Sequence, residues 1–252
     1  MKYLKSLFTF ILISSLLINC ARRGNPSGGP KDIDAPINIK TIPAFKTVNF
    51  KENKIELYFD EYIKLEDLQK NLIISPPLKY PADILPLGLA SKKITIKLQD
   101  TLLENTTYTF NFGESLVDNN EGNVLKNFKY IFSTGTTIDS LSIKGSISDA
   151  YHKESDTYVS ILLYEANESF TDSTIYKNKP LYMANTLDST HWEITNLKKG
   201  KYHLVALKSE QTDFLFRPKS DKIAFLKTTI DIPTKQEFNL NLFKEIVAFD
   251  TS

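Results

Sequence analysis

Short rows in which apolar and polar residues alternate constrain this chain more than any other feature. Ile55, Leu57 and Phe59 alternate with Lys54, Glu56 and Tyr58. Ile94, Ile96 and Leu98 do the same, as do Tyr108, Phe110 and Phe112 against Thr107, Thr109 and Asn111, and Phe128, Tyr130 and Phe132 form a fourth row. A period of two places each set on one face of an extended strand, whereas a helix needs a period of about 3.6 residues. The rows are separated by turn chemistry at Ser75-Pro76-Pro77, Pro86-Leu87-Gly88 and Asp118 to Asn123. This half therefore reads as a two-sheet antiparallel sandwich, with one short helical turn expected within Leu65 to Leu72.

A polar joint, Thr137 to Ser140, precedes a second series. Leu141, Ile143 and Ile147 begin it; Val159, Ile161 and Leu163 follow, then Leu181 to Thr186, Trp192 to Ile194 and Asn196 to Leu207. Lys222 to Leu226 and Phe238 to Phe243 are expected to close the sheet. The abrupt close at Phe249-Asp250-Thr251-Ser252 reads as a shortened form of a longer protein.

The amino terminus has a different character. Lys2 and Lys5 precede the apolar run Leu7 to Ile18, which is too short to span a bilayer comfortably, and a polar tract rich in Gly and Pro follows. That order reads as an export signal rather than a membrane span. Leu17-Ile18-Asn19-Cys20 resembles the lipobox of bacterial lipoproteins, with Asn19 standing where a smaller residue is usual. The resemblance implies that residues 1–19 are removed and that Cys20 is lipidated and becomes the first residue of the mature chain. Cys20 is the single cysteine, so no internal disulfide can form. A diacylglycerol thioether plus an N-acyl chain such as palmitate, at about 0.8 kcal/mol per buried CH₂, makes a stable anchor in membrane lipid. Ala21 is not the aspartate that retains some lipoproteins in the inner membrane, and Arg22 and Arg23 replace the acidic cluster of surface-exported ones. The expected place is the outer membrane facing the periplasm, with the cell surface as the other option. Residues 20–32 form a flexible tether whose dozen residues reach at most about 40 Å.

Two further resemblances rest on ordered motifs. Asp34-Ala35-Pro36, Ile55 to Tyr62, Ile73 to Pro77, Leu103 to Phe110, the Asp118 to Asn123 turn and Phe132-Ser133-Thr134-Gly135 resemble the SbsA-type bacterial immunoglobulin-like domain. The likeness implies a non-catalytic sandwich over residues 33–136 that spaces, supports or binds. Leu197-Lys198-Lys199-Gly200-Lys201-Tyr202, set between strands, is similar to the carboxypeptidase-regulatory-like, or transthyretin-like, sandwich, implied over residues 140–245. Where that family has an Asp/Asn-rich loop, this chain has Lys208 to Asp213, which puts any cation site there in doubt. The fold class expected is all-β: two tandem antiparallel β-sandwich (Ig-like) domains after a signal peptide and tether.

Little in the sequence points to chemistry. His152, His191 and His203 lie far apart, and no thiol joins them in a zinc spacing; His203 is expected on the outer face of a strand. Asp118 to Asn123 reads as a turn held by its own side chains rather than a calcium loop. Asp60 and Glu61 are adjacent and point to opposite faces of a strand, so they cannot bracket one bond together. No nucleophile elbow, phosphate loop or metalloprotease motif occurs. With 31 basic and 30 acidic side chains the charge is balanced, which gives no reason to expect nucleic acid. We therefore expect no enzyme, no cofactor and no metal, but a structural or interaction module whose partners are membrane lipid, other envelope proteins or glycans. The alternative is a glycan-binding accessory lipoprotein using an exposed aromatic face, with Tyr58, Tyr62 and Trp192 as its candidates.

Overall fold

In the computed structural model, which describes residues 30–245, the alternating rows become strands. The longest, β2 (Lys54–Leu65), buries Ile55, Leu57 and Phe59 on one face. β1 (Asn38–Ile42) and β5 (Ser91–Lys97) flank it, β4 (Asp83–Leu85) lies beyond β5, and β7 (Leu116–Asp118) pairs with the far end of β2. Opposite stands a three-stranded sheet in the order β3 (Ile73–Ser75), β6 (Thr107–Asn111), β8 (Lys129–Ser133). The expected helical turn is α1 (Leu68–Asn71). Between the sheets Phe132 gathers Phe50, Tyr108, Phe110 and Tyr130, with ring centroids 3.9 to 6.1 Å away. Such contacts add roughly 0.5–1.5 kcal/mol per pair beyond area burial.

The turn from Asp118 to Asn123 closes by local hydrogen bonds, as read from the sequence. Asp118 accepts the backbone N–H groups of Asn120 (2.9 Å) and Glu121 (2.7 Å), its own N–H donates to the Asn123 carbonyl, and Gly122 takes a positive φ. Burial works against ionisation of Asp118, but those N–H groups outweigh it and hold its carboxyl below the ordinary range.

The second series of rows makes one continuous sheet folded on itself. Its order is β11 (Tyr182–Asn185), β10 (Ser160–Glu165), β13 (Gly200–Lys208), β14 (Lys222–Phe225), β16 (Phe238–Lys244), β9 (Leu141–Asp149), β12 (His191–Leu197); β15 (Ile230–Ile232) pairs with the start of β13. Only two residue pairs, Lys222↔Lys244 and Ile223↔Phe243, join β14 to β16. At that narrow hinge the sheet folds over, and its two leaves enclose Ile143, Ile161, Leu163, Trp192, Leu204 and Leu240. One pairing departs from the antiparallel pattern: β16 runs parallel to β9, from Phe238↔Gly145 to Leu242↔Asp149. The Leu197 to Tyr202 turn has a local cause. Leu197 is fully buried, and Tyr202 lays its ring over Gly200 and donates its hydroxyl to the Lys198 carbonyl at 3.1 Å. A second short helix, α2 (Thr174–Lys177), follows β10.

Gly145 is required by this packing. It pairs with Trp192 on one side and Phe238 on the other, and a Cβ there would collide with the Phe238 carbonyl oxygen and lie 2.6 Å from Trp192 Cζ2. Gly145→Ala is expected to destabilise the protein by more than about 2 kcal/mol, because both neighbours are held by strand pairing and cannot move aside. Urea unfolding of the two proteins checks this.

Candidate functional site

No strand of the first sandwich pairs with one of the second among the described residues. The two are joined through side chains instead, and the joining face starts from small polar residues. Along β6 the inward residues are Tyr108 and Phe110, and the outward ones are Thr107 and Thr109. All four are buried, because the second sandwich covers the outer face of the three-stranded sheet. On β3 the same parity sends Ile74 inward and Ile73 and Ser75 outward. Ile73 joins the apolar cluster of Leu162, Tyr164, Met183, Val205 and Leu207 on the outer face of the second sandwich.

Several polar groups on this seam are paired across it, although the buried Tyr164 hydroxyl is not hydrogen-bonded. The N–H of Met183 donates to Ser75 Oγ at 3.1 Å, in a buried position. Thr107 Oγ1 accepts the Asp139 N–H and donates to the Asp139 carboxylate, both at 2.8 Å, which pins the joint between the halves. Asn196, held at φ 62° in the irregular stretch of β12, donates to the Asp139 carbonyl at 2.8 Å and accepts from Thr109 Oγ1 at 3.2 Å. At the rim, Lys179 Nζ donates to the Leu78 carbonyl, and the Lys70 ammonium sits 3.7 Å from the Tyr158 ring centroid. A cation over an aromatic face is worth roughly 0.5–1 kcal/mol in an exposed setting.

Beside the seam lies a cleft of about 800 Å³, with Asn111 and Lys129 on one wall and Lys144, Asn185, His191 and Glu237 on the other. Its charges are of both signs, and Lys144 and Glu237 neutralise each other at 2.7 Å. No group of three His, Cys, Asp or Glu among the described residues is arranged to hold a metal ion.

The residues singled out from the sequence fall in separate places. Cys20 and its neighbours Leu17, Ile18 and Asn19 lie outside the described residues. Tyr58 is half-buried on β2, donates its hydroxyl to Glu56 at 3.0 Å and has Lys40 and Lys93 over its ring. Tyr62 is 55% exposed, with Lys92 over its ring. Trp192 is only 4% exposed, because its position on β12 faces inward beside Ile194 and its indole packs over Gly145. Tyr58, Tyr62 and Trp192 therefore share no exposed face, and the aromatic platform expected of a glycan binder is not assembled. Tyr108, Tyr130 and Tyr202 are core residues, with hydroxyls bonded to backbone near the sheet ends, while Tyr80 stands apart on the surface. His203 does face outward, but Phe170 stacks on it at 3.8 Å, and burial lowers its pKa. Asp60 accepts the Ile37 N–H through its carboxylate.

A charge cluster that the sequence reading missed closes the loop after β9. Lys222 Nζ donates to Asp149 and to Asp156, each at 2.7 Å, and the Asp149 side chain is almost wholly buried. The Lys222 ammonium first, then the N–H groups of Tyr151 and His152, hold the Asp149 carboxyl well below the usual range, and the two carboxylates raise Lys222. Because the carboxyl is depressed, its stabilising effect is complete above the unfolded pKa of about 3.9 and is lost as pH falls toward the folded value.

Two outcomes follow. Ser75→Ala leaves the buried Met183 N–H without an acceptor and is expected to cost roughly 1–3 kcal/mol, read by urea unfolding and by faster proteolysis at the 137–140 joint. Lys222→Met strands a buried carboxylate and is expected to cost about 3 kcal/mol at neutral pH. That loss should shrink as pH falls below about 4, because the unfolded chain and the variant, which lacks the ammonium, take up a proton at Asp149 there while the folded parent does so only at lower pH, as measured by unfolding across an acid pH series.

Residues 32–134 match the family of bacterial Ig-like domains. No curated protein sequence matches the chain. Among solved structures, the chain is similar to the N-terminal part of the bacterial S-layer protein SbsC, at 13% identity and a TM-score of 0.28, over 69% of this chain and 40% of that one. It therefore spans less than half of that chain's length. It is also similar to BcpA, the major pilin subunit of Bacillus cereus, at 11% identity and a TM-score of 0.24, over 82% of this chain and 71% of that one.

Proposed function

We propose that this chain is a lipid-anchored cell-envelope protein, non-catalytic, whose two β-sandwiches act as one stiff structural or interaction module. The observation that carries the reading is the seam. A spacer must keep a set distance and orientation between its ends, and a buried, hydrogen-bonded contact centred on Ser75, Thr107, Thr109 and Asn196 resists bending in a way a bare linker does not. The units so joined are residues 33–136 and 140–245.

The order of charged, apolar and lipobox residues before Cys20 supports export and lipidation. We place the anchor in the outer membrane with the sandwiches facing the periplasm. The partners we infer are membrane lipid through Cys20 and other envelope proteins, met at loops and sheet edges. A non-enzymatic role is favoured by the scatter of acid–base groups: His152 is tied to Asp149, His203 lies under Phe170, and His191 is exposed on β12. The glycan alternative loses its main support because Trp192 is in the core.

Cys20→Ala is expected to release most of the protein from the membrane fraction, with mass spectrometry of the parent chain showing acylated residue 20 as its first residue. Full membrane retention of the variant, or a free thiol in the parent, would count decisively against the anchor. Cross-linking in intact envelopes, scored for envelope proteins joined to this chain, tests the assembly role; recovery of lipid alone would leave it without support.

A further inference from the structure

The first sandwich has one end that is unusually apolar for a free surface. The strand register collects that end: Asn38 pairs with Phe59, and Ser91 pairs with Ile63, so the start of β1, the middle of β2 and the start of β5 lie together. Ile37, Ile39, Tyr62 and Leu89 belong to this end, and each is more than half exposed. Single exposed apolar residues need no explanation, but four gathered at one end of a sheet mark a contact.

The edge itself is poorly suited to a protein strand. β1 carries a register break between Asn38 and Lys40, and Pro43 follows it directly. Bulges, lysines and prolines are devices that block strand addition. Lys40 and Lys92 lie over the rings of Tyr58 and Tyr62, with long apolar stems and terminal amines, which suits a boundary between apolar and wet layers. Asp60 and Glu61 stand at the same end, so its charge is mixed rather than basic.

Chain length selects the occupant. The sequence from Cys20 to Asp32 leads into this end of the sandwich, and it reaches at most about 40 Å. We propose that Ile37, Ile39, Tyr62 and Leu89 seat this end of the first sandwich on a zwitterionic lipid headgroup surface. The seating rests on the lipid-anchor reading above, and it turns a tether into a fixed stance. Because the charge is mixed, contact depends on apolar insertion into the headgroup layer and not on anionic lipid.

The test uses the lipidated chain in phosphatidylcholine–phosphatidylethanolamine vesicles. Acylation consumes the only native thiol, so a cysteine placed by Ile37→Cys or Leu89→Cys is the sole site for an environment-sensitive fluorophore. Leu103→Cys, on an exposed apolar position about 20 Å away beyond the far end of β5, is the control. A blue shift, with quenching by lipid-borne quencher roughly threefold or more above the control, is expected at residues 37 and 89 and unchanged by added anionic lipid. Equal quenching at the three positions overturns the proposal while leaving the anchor intact. A shift that arises in detergent without vesicles and grows with protein concentration assigns the surface to a second copy instead. Labelling of the parent chain at Cys20 overturns the anchor and the seating together.

Discussion

The outer face of the three-stranded sheet is the constraint on which the rest of this molecule depends. An ordinary sandwich leaves the outer face of each sheet to water, and that face then tolerates most polar residues. Here β6 is buried on both sides, so Thr107 and Thr109 must be small, must be hydrogen-bonded and must match the contour of β12. Ser75 answers the same demand on β3. The two sandwiches therefore share a wall, with the aromatic core of the first on one side of it and the apolar cluster holding Ile73 on the other.

The same economy governs the polar groups away from the seam as well. The protein's buried polar groups are spent on holding backbone: Asp118 on a turn, Asn196 on the joint, Asp221 on the Ser209–Arg217 loop, and Asp149 on the segment after β9. Each carboxylate that is shielded from water already faces donors arranged around it.

Much of this was legible from residue order because it is local. Period-two rows gave the strands of β2, β5, β6 and β8, and the Asp118 turn and the Leu197–Tyr202 turn close through partners a few residues away. What stayed hidden needed a partner distant in the chain. Thr107 and Thr109 read as a solvent face because a threonine row looks the same whether water or a second sandwich lies above it. Trp192 looked available for binding, although Gly145 within a strand was a sign that something large packs on that spot. Lys222 and Asp149, 73 residues apart, carry no signal in either neighbourhood.

The parallel pairing of β16 with β9 also dictates when the second sandwich can exist. β16 is the last strand of the chain's described fold, yet it lies in the middle of the sheet, between the first strand of that half and β14. Until it arrives, β9 and β12 form an isolated ribbon with one apolar face in water, and β14 has an open edge. A chain made from its amino terminus delivers β16 after every other described strand. Until then the half-built sandwich must wait, open and adhesive, which is when it is most exposed to wrong partners.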